Sequence, residues 1–170
     1  MSITNTEGYF LKYTSFVKEE NLIEAFTNQT EIINNFFNKI TEEKSLYAYA
    51  AGKWTLREML QHIIDTERIF SYRALAIARG ETTALPGFDE NEYAANSNGN
   101  ARTWASLVAE MNAVRTVTKL LFESFTENML ATKGKFTSNT ADPKTLGFIM
   151  LGHVYHHISV AEERYLGAAH

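Results

Sequence analysis

Three of the five histidines of this 170-residue chain lie in one short stretch near its C-terminus, GHVYHHISV. His153 and His157 are four residues apart, so on a helix their side chains project from the same face. That face continues through Ile149, Val160 and Ala161, and both rings are therefore expected to point into the core. A buried polar group without a partner costs about 1–3 kcal/mol. The pair therefore needs either hydrogen-bond partners in the core or a transition metal, for which neutral imidazole is a good ligand.

A third histidine favours the metal. His62 lies in an earlier helical stretch beside Met59 and Ile63, again close to an apolar face. If His62, His153 and His157 converge, they can hold a divalent ion and leave a coordination position open, which is typical of catalytic zinc. Because imidazole binds metal only when neutral, affinity is expected to weaken as the pH falls through about 6.5. A plain core with hydrogen-bonded histidines is the alternative.

The other histidines and two carboxylates are candidates for supporting positions. His156 is turned off the face of His153 and is expected at the flank of the site, and His170, the last residue, is expected to fray. Asp65 and Glu58 lie within about one turn of His62, so either carboxylate could accept its ring N–H. Most carboxylates on helices are simply solvated, and Glu58 also suits a helix cap.

Known metal motifs of other kinds do not fit. A zincin needs H-E-x-x-H, but Val154 follows His153. Di-iron bundles need a glutamate three residues before a histidine, and no histidine here has one. The chain has no cysteine, which excludes disulfides, cysteine-ligated zinc and an intrinsic thiol nucleophile.

Composition narrows the class of partner. The net charge is −4, the pI is about 5.7 and the basic residues are scattered, so no nucleic-acid partner is expected. No apolar stretch approaches the roughly 20 residues of a membrane-spanning helix. The N-terminus MSITNTEGYF does not resemble a signal peptide. We therefore expect no membrane partner and a cytoplasmic location.

The periodicity of the apolar residues predicts an all-α protein, a four-helix bundle that forms one domain over residues 1–170. Four long helices are expected over 21–40, 55–79, 103–125 and 143–166, and a short helical piece over 9–17. The second and third connections are long, 81–101 and 126–141, and the latter is expected to hold a short helix. The acidic run FDENEY, residues 88–93, either covers the site or is a solvated loop.

Local signals mark where two of these helices begin and end. Thr55 and Glu58 form a T-x-x-E capping box, and Gly80 suits the position after the same helix. Asp142 is the expected N-cap of the last helix, with Pro143 as its first residue.

The chain resembles the DinB/YfiT-like superfamily in two blocks. KWTLREMLQHIIDTERIF resembles the W-[ST]-x-x-E-x-x-x-H block of that superfamily, and LGHVYHHISVAEERYL resembles its C-terminal G-H-x-x-H-H block. LPGFDENEY looks like the loop that often follows the second helix, so the resemblance covers most of the chain in order. It implies a four-helix bundle with long connections and a divalent metal held by His62, His153 and His157. His156 matches a position that is not usually a ligand.

The resemblance implies several activities. Some members are transferases or isomerases that use a low-molecular-weight thiol such as bacillithiol or mycothiol. The first expectation is therefore a metal-dependent enzyme, with zinc or nickel, that transfers an external thiol to a small-molecule substrate. The same site could activate water for hydrolysis. The alternative of another class is a non-catalytic metal or small-molecule binding protein, and a homodimer is also expected.

Overall fold

Four long helices form the bundle in this computed structural model, which describes residues 6–167 apart from the side chains of residues 6, 7, 9 and 10. The bundle helices are α2 (Leu22–Phe37), α3 (Leu56–Ala78), α5 (Trp104–Glu123) and α7 (Pro143–Val160). The shorter elements are α1 (Thr6–Thr14), α4 (Glu90–Asn96), α6 (Glu127–Ala131), β1 (Gly134–Phe136) and β2 (Asn139–Ala141). The predicted four-helix bundle is confirmed. His170 lies outside the described residues.

Two pairs of consecutive bundle helices, α2 with α3 and α5 with α7, are not extensive neighbours in space. α3 packs against α5 and α7, and α2 packs against the same two helices. The steps from α2 to α3 and from α5 to α7 therefore cross the bundle, and the long connection 126–141 makes the second of these crossings. Of the residues described, no helix is both long and apolar enough to cross a membrane.

The predicted caps are present. The Thr55 hydroxyl accepts from the Glu58 backbone N–H while the Glu58 carboxylate accepts from the Thr55 N–H. Asp142 caps α7 by accepting from the Thr145 N–H, with Pro143 in the first turn. Gly80 has φ +87°, a left-handed conformation that suits glycine after a helix.

Two features of the backbone were not predicted. The connection 126–141 contains the expected short helix, α6, but also an antiparallel hairpin of β1 and β2. The last predicted helix changes to a π-helical turn over Ala161–Tyr165 instead of continuing as α-helix. The Tyr165 hydroxyl donates to the Trp54 carbonyl at 2.7 Å, so this turn ties the C-terminal end of α7 to the start of α3.

Gly152 lets α1 lie directly on α7. A Cβ atom at position 152 would be 1.9 Å from the backbone oxygen of Tyr13, a separation that neither backbone can accept. This close approach brings the Tyr13 ring to 5.6 Å from the His153 ring, centroid to centroid. The glycine of the C-terminal motif therefore places an aromatic residue of α1 beside a histidine of α7.

A buried ion pair joins α3 and α5 in the middle of the bundle, and further polar contacts extend it to α2 and α7. The Arg115 guanidinium on α5 donates to the Glu67 carboxylate on α3 at 2.7 Å, and each side chain is only 2% exposed. Arg115 also donates to the Gln29 side-chain oxygen on α2 at 2.6 Å. Gln29 in turn donates to the Leu151 carbonyl on α7 at 2.7 Å. All four bundle helices are therefore connected through polar contacts.

Candidate metal centre

The three candidate ligands come together where α3 meets α7. The His62 and His153 Nε2 atoms are 3.0 Å apart, and the His153 and His157 Nε2 atoms are also 3.0 Å apart. One ligand atom from each ring lies within 4.8 Å of the others. His62 and His153 are buried, and His157 is half-buried. The i, i+4 spacing on α7 supplies two rings, and packing of α3 on α7 supplies the third.

Hydrogen bonding alone does not explain the position of the His153 Nε2 atom. An imidazole nitrogen carries either one proton or one lone pair, so it makes one good hydrogen bond. The His153 Nε2 atom nevertheless faces two imidazole nitrogens at 3.0 Å. A cation bound by three lone pairs accounts for the convergence. Zinc–nitrogen bonds of about 2.0–2.1 Å at tetrahedral angles place ligand nitrogens roughly 3.3 Å apart, so the three residues fit such an ion.

Burial keeps these rings neutral, the form that binds metal. Burial lowers the pKa of His62 to about 4. Burial, and then the neighbouring histidines and Lys12, holds the pKa values of His153 and His157 well below their ordinary range. The three rings are therefore expected to keep free lone pairs well below neutral pH.

The two carboxylates that were expected to support His62 make other hydrogen bonds. Asp65 accepts a hydrogen bond from the Gln61 side chain at 2.9 Å, and Glu58 takes part in the cap of α3. The ring of Trp54 instead contacts His62, with centroids 4.8 Å apart. His156 lies at the flank, with its ring 5.8 Å from that of Tyr13.

The histidines open onto a cavity of about 340 Å³, a size suited to a small molecule. Besides the histidines, its wall contains five aromatic residues and carries charge of both signs. The aromatic members are Tyr13, Trp54, Phe70, Phe88 and Phe136, and the charged members are Lys12, Arg73 and Glu90.

Arg73 contacts several parts of this wall. It is 4% exposed, and its guanidinium donates to the Pro86 carbonyl at 2.7 Å. The guanidinium carbon is 4.9 Å from the Phe70 ring centroid and 4.8 Å from that of Phe136. One side chain of α3 thus contacts both the loop after α3 and strand β1.

The acidic run 88–93 contributes to the cavity and also begins α4. Phe88 and Glu90 line the cavity. Asp89 caps α4 by accepting from the backbone N–H groups of Asn91 and Glu92. Both expectations for this run therefore hold in part, because Phe88 and Glu90 line the site while residues 89–93 are exposed to solvent.

Comparison with known proteins decides the family. Residues 25–161 match the family model of the DinB superfamily. The chain belongs to the DinB superfamily. The match includes His62, His153 and His157, and the resemblance inferred from the two sequence blocks is confirmed.

Two proteins that are similar to this DinB-superfamily chain carry names that mention metal. A protein of Oceanobacillus iheyensis, named as a candidate metal-dependent hydrolase, is 26% identical over 78 residues, which are 46% of this chain and 43% of the relative. The match thus spans less than half the length of that curated relative. The structure of YfiT from Bacillus subtilis is similar at a TM-score of 0.70 and 16% identity, over 96% of this chain and 87% of YfiT. YfiT is described as a candidate metal-dependent hydrolase with an unusual four-helix bundle topology. At this identity the likeness shows the fold.

The sequence analysis did not predict several residues that line the cavity of this DinB-superfamily chain. Tyr13, Thr66, Arg73 and Phe136 all line the cavity, although none was named as a site residue. The spacing of His62, Thr66 and Arg73 on α3 was a usable signal, because residues four and eleven positions on lie close to the same helical face. Phe136 gave no such signal, since the hairpin that carries it was not predicted.

The depressed pKa values make stability depend on pH. In the unfolded chain, histidines take up protons as the pH falls through about 6.5. Folded His62 stays neutral until about pH 4. The unfolded state binds more protons between these values, so the histidine contribution to stability is complete above about pH 6.5 and is lost as the pH falls toward 4. For each proton that the unfolded state binds and the folded state does not, the free energy of unfolding changes by about 1.4 kcal/mol per pH unit.

We therefore expect the free energy of unfolding of the metal-free protein, measured with denaturant, to fall steadily from pH 6.5 to 4.5. His62→Gln, which does not titrate, should give a shallower slope. The same slope in both proteins would contradict the assignment of a neutral buried His62. Because the pKa values of the three histidines are lowered, the folded protein should keep its metal affinity below pH 6.5. The expectation that affinity weakens as the pH falls through about 6.5 used the ordinary histidine pKa and is replaced by this one.

Proposed function

We propose that this protein is a metal-dependent hydrolase in which His62, His153 and His157 hold a divalent ion, zinc or nickel. The observation that carries the proposal is the contact of His153 Nε2 with two other imidazole nitrogens at 3.0 Å each. Three neutral histidines leave a coordination position open. When bound there, the ion would act as a Lewis acid and lower the pKa of water.

The chain's own residues would prepare the site for a small molecule. Trp54 packs on the His62 ring and restricts its orientation. Phe70 and Phe136 offer apolar surface for the body of a substrate, and Lys12, Arg73 and Glu90 add charges around it. The names of the two relatives support hydrolysis as the reaction class.

Transfer of an external thiol is the second candidate, and one observation favours it. A second cavity, of about 260 Å³, shares Trp54, His156 and His157 with the first. Tyr49 and Tyr165 contribute to its wall. Two reactants could thus reach the histidines from separate cavities, an arrangement that suits a transferase. The chain has no cysteine, so the thiol would come from outside.

We propose a single domain, located in the cytoplasm and acting as a homodimer. The exposed apolar side chains of Val117 and Leu120 on α5, 67% and 59% accessible, support an interface on that helix.

Zinc-loaded and nickel-loaded protein should hydrolyse members of a panel of small aryl esters and amides without added thiol. His62→Ala, assayed beside the wild type, should lose this turnover because one ligand is missing. Product release followed by absorbance gives the rate. Turnover that appears only when a thiol is added would favour the transferase, and metal binding without turnover under either condition would favour the binding protein.

A further inference from the structure

Thr66 is a buried residue of the cavity whose hydroxyl has no partner. It lies on α3 one turn after His62 and lines the cavity of about 340 Å³. The residue is 6% exposed, and its Oγ1 atom makes no hydrogen bond within the part of the chain that the structure describes. Buried hydroxyl groups without partners are rare in folded proteins, so this one requires an explanation.

Four other threonines, on helices or at a helix end, use a local solution that Thr66 does not. Their hydroxyl groups donate to the backbone carbonyl four residues earlier, at 2.8–2.9 Å, a common bond for helical threonine. The residues that do so are Thr27, Thr30, Thr116 and Thr132. The equivalent acceptor for Thr66 is the His62 carbonyl, and no such bond is present. The Thr66 hydroxyl is thus not committed to its own helix.

The position of Thr66 indicates what could complete its hydrogen bonding. Side chains four residues apart on a helix have Cβ atoms about 5–6 Å apart, so Thr66 lies beside His62. Phe70 is one turn further along α3, and it also lines the cavity, with its ring 6.0 Å from that of Phe136. Along α3 the cavity therefore changes from polar groups near the histidines to aromatic surface.

We propose that Thr66 is a substrate-binding residue whose hydroxyl bonds to a carbonyl or amide group of the molecule in the cavity. The body of that molecule is apolar and packs against Phe70 and Phe136. This inference rests on the proposed hydrolase function and names its substrate class, a small ester or amide with an aryl or alkyl body. The group bound by Thr66 lies next to the histidines, where the reaction takes place.

The test uses metal-free protein and two matched probes, 3-phenylpropionamide and propylbenzene, which differ in the amide group. Dissociation constants are measured by NMR titration for the wild type, Thr66→Val and Thr66→Ser. Because a buried hydrogen bond between neutral groups is lost, Thr66→Val should bind the amide about fivefold more weakly. Thr66→Ser should remain within about twofold of the wild type, since the hydroxyl is kept. Propylbenzene should bind Thr66→Val at least as well as the wild type.

A matched control separates binding from folding. Thr30→Val removes a helical threonine hydroxyl on α2 away from the cavity, and it should leave amide binding unchanged. The melting temperature of Thr66→Val should be no lower than that of the wild type, because no bond within the protein is lost.

Three results would overturn the proposal for Thr66. They are the absence of saturable amide binding to the wild type, equal amide binding by the wild type and Thr66→Val, and an equal loss of both probes in that variant. Failure of the proposed function is distinguishable, because it appears as wild-type protein that retains no zinc or that binds zinc without hydrolysing esters and amides, whereas the amide measurement uses metal-free protein.

Discussion

Replacing His153 by alanine is expected to reduce bound zinc from about one ion per chain to almost none. His153 is the central member of the cluster, because its Nε2 atom lies 3.0 Å from the nitrogens of both His62 and His157. Its loss would leave two ligands from different helices, and two histidines hold a divalent ion much less firmly than three. His62→Ala should have the same effect. The measurement is metal per chain by elemental analysis after dialysis against a defined zinc buffer.

His156→Ala is the matched control, since it removes an imidazole from the same turn of α7. The His156 ring packs beside Tyr13 and Phe16 at the flank of the cluster, so this variant should keep its zinc. All three variants should retain their helical circular dichroism, because apolar burial between the helices supplies most of the stability. Loss of zinc from His156→Ala but not from His153→Ala would refute the ligand assignment.

Arg115→Met is expected to destabilise the protein by about 3–5 kcal/mol. The variant leaves the Glu67 carboxylate, which is 2% exposed, buried without its positive partner. It also removes the donor to Gln29 and the cation that lies 5.2 Å from the centre of the Phe26 ring. Denaturant unfolding at pH 7.5, where the carboxylate of the unfolded state is charged, measures the loss.

Two further variants test the physical reason. The double variant Glu67→Gln, Arg115→Met should recover part of the stability, because no charge is then left buried. Lys119→Met removes the cation of a partly exposed pair, Lys119–Glu123, on the same helix and should change stability by less than about 1 kcal/mol. Equal losses of unfolding free energy in Arg115→Met and Lys119→Met would show that burial does not increase the contribution of the Arg115–Glu67 pair to stability.

The buried ion pair is also connected to the helix that carries two of the candidate metal ligands. Gln29 connects Arg115 to the carbonyl of Leu151, two residues before His153 on α7. The contact holds α7 against α2 at the level where it presents its histidines. A single polar network therefore contributes to stability and to the placement of the candidate ligands.

The sequence by itself was sufficient for the features that depend on local pattern. Apolar periodicity located the four bundle helices, and the capping residues Thr55 and Asp142 marked two of their starts. The spacing of His153 and His157 was enough to place both rings on one helical face. These features depend on residues a few positions apart, so a single sequence contains the information.

Only the tertiary structure decided which groups face one another across helices. The partners Arg115 and Glu67 are 48 residues apart, and the meeting of Tyr13 with α7 depends on the absence of a side chain at Gly152. The hairpin of β1 and β2, which carries Phe136 into the cavity, is a pairing of two three-residue strands with little pattern of their own. Even Thr66 looked ordinary in the sequence, because an unpaired hydroxyl is a property of the packed surroundings and not of the residue. Such contacts follow from the order of the helices around the bundle, which local periodicity does not specify.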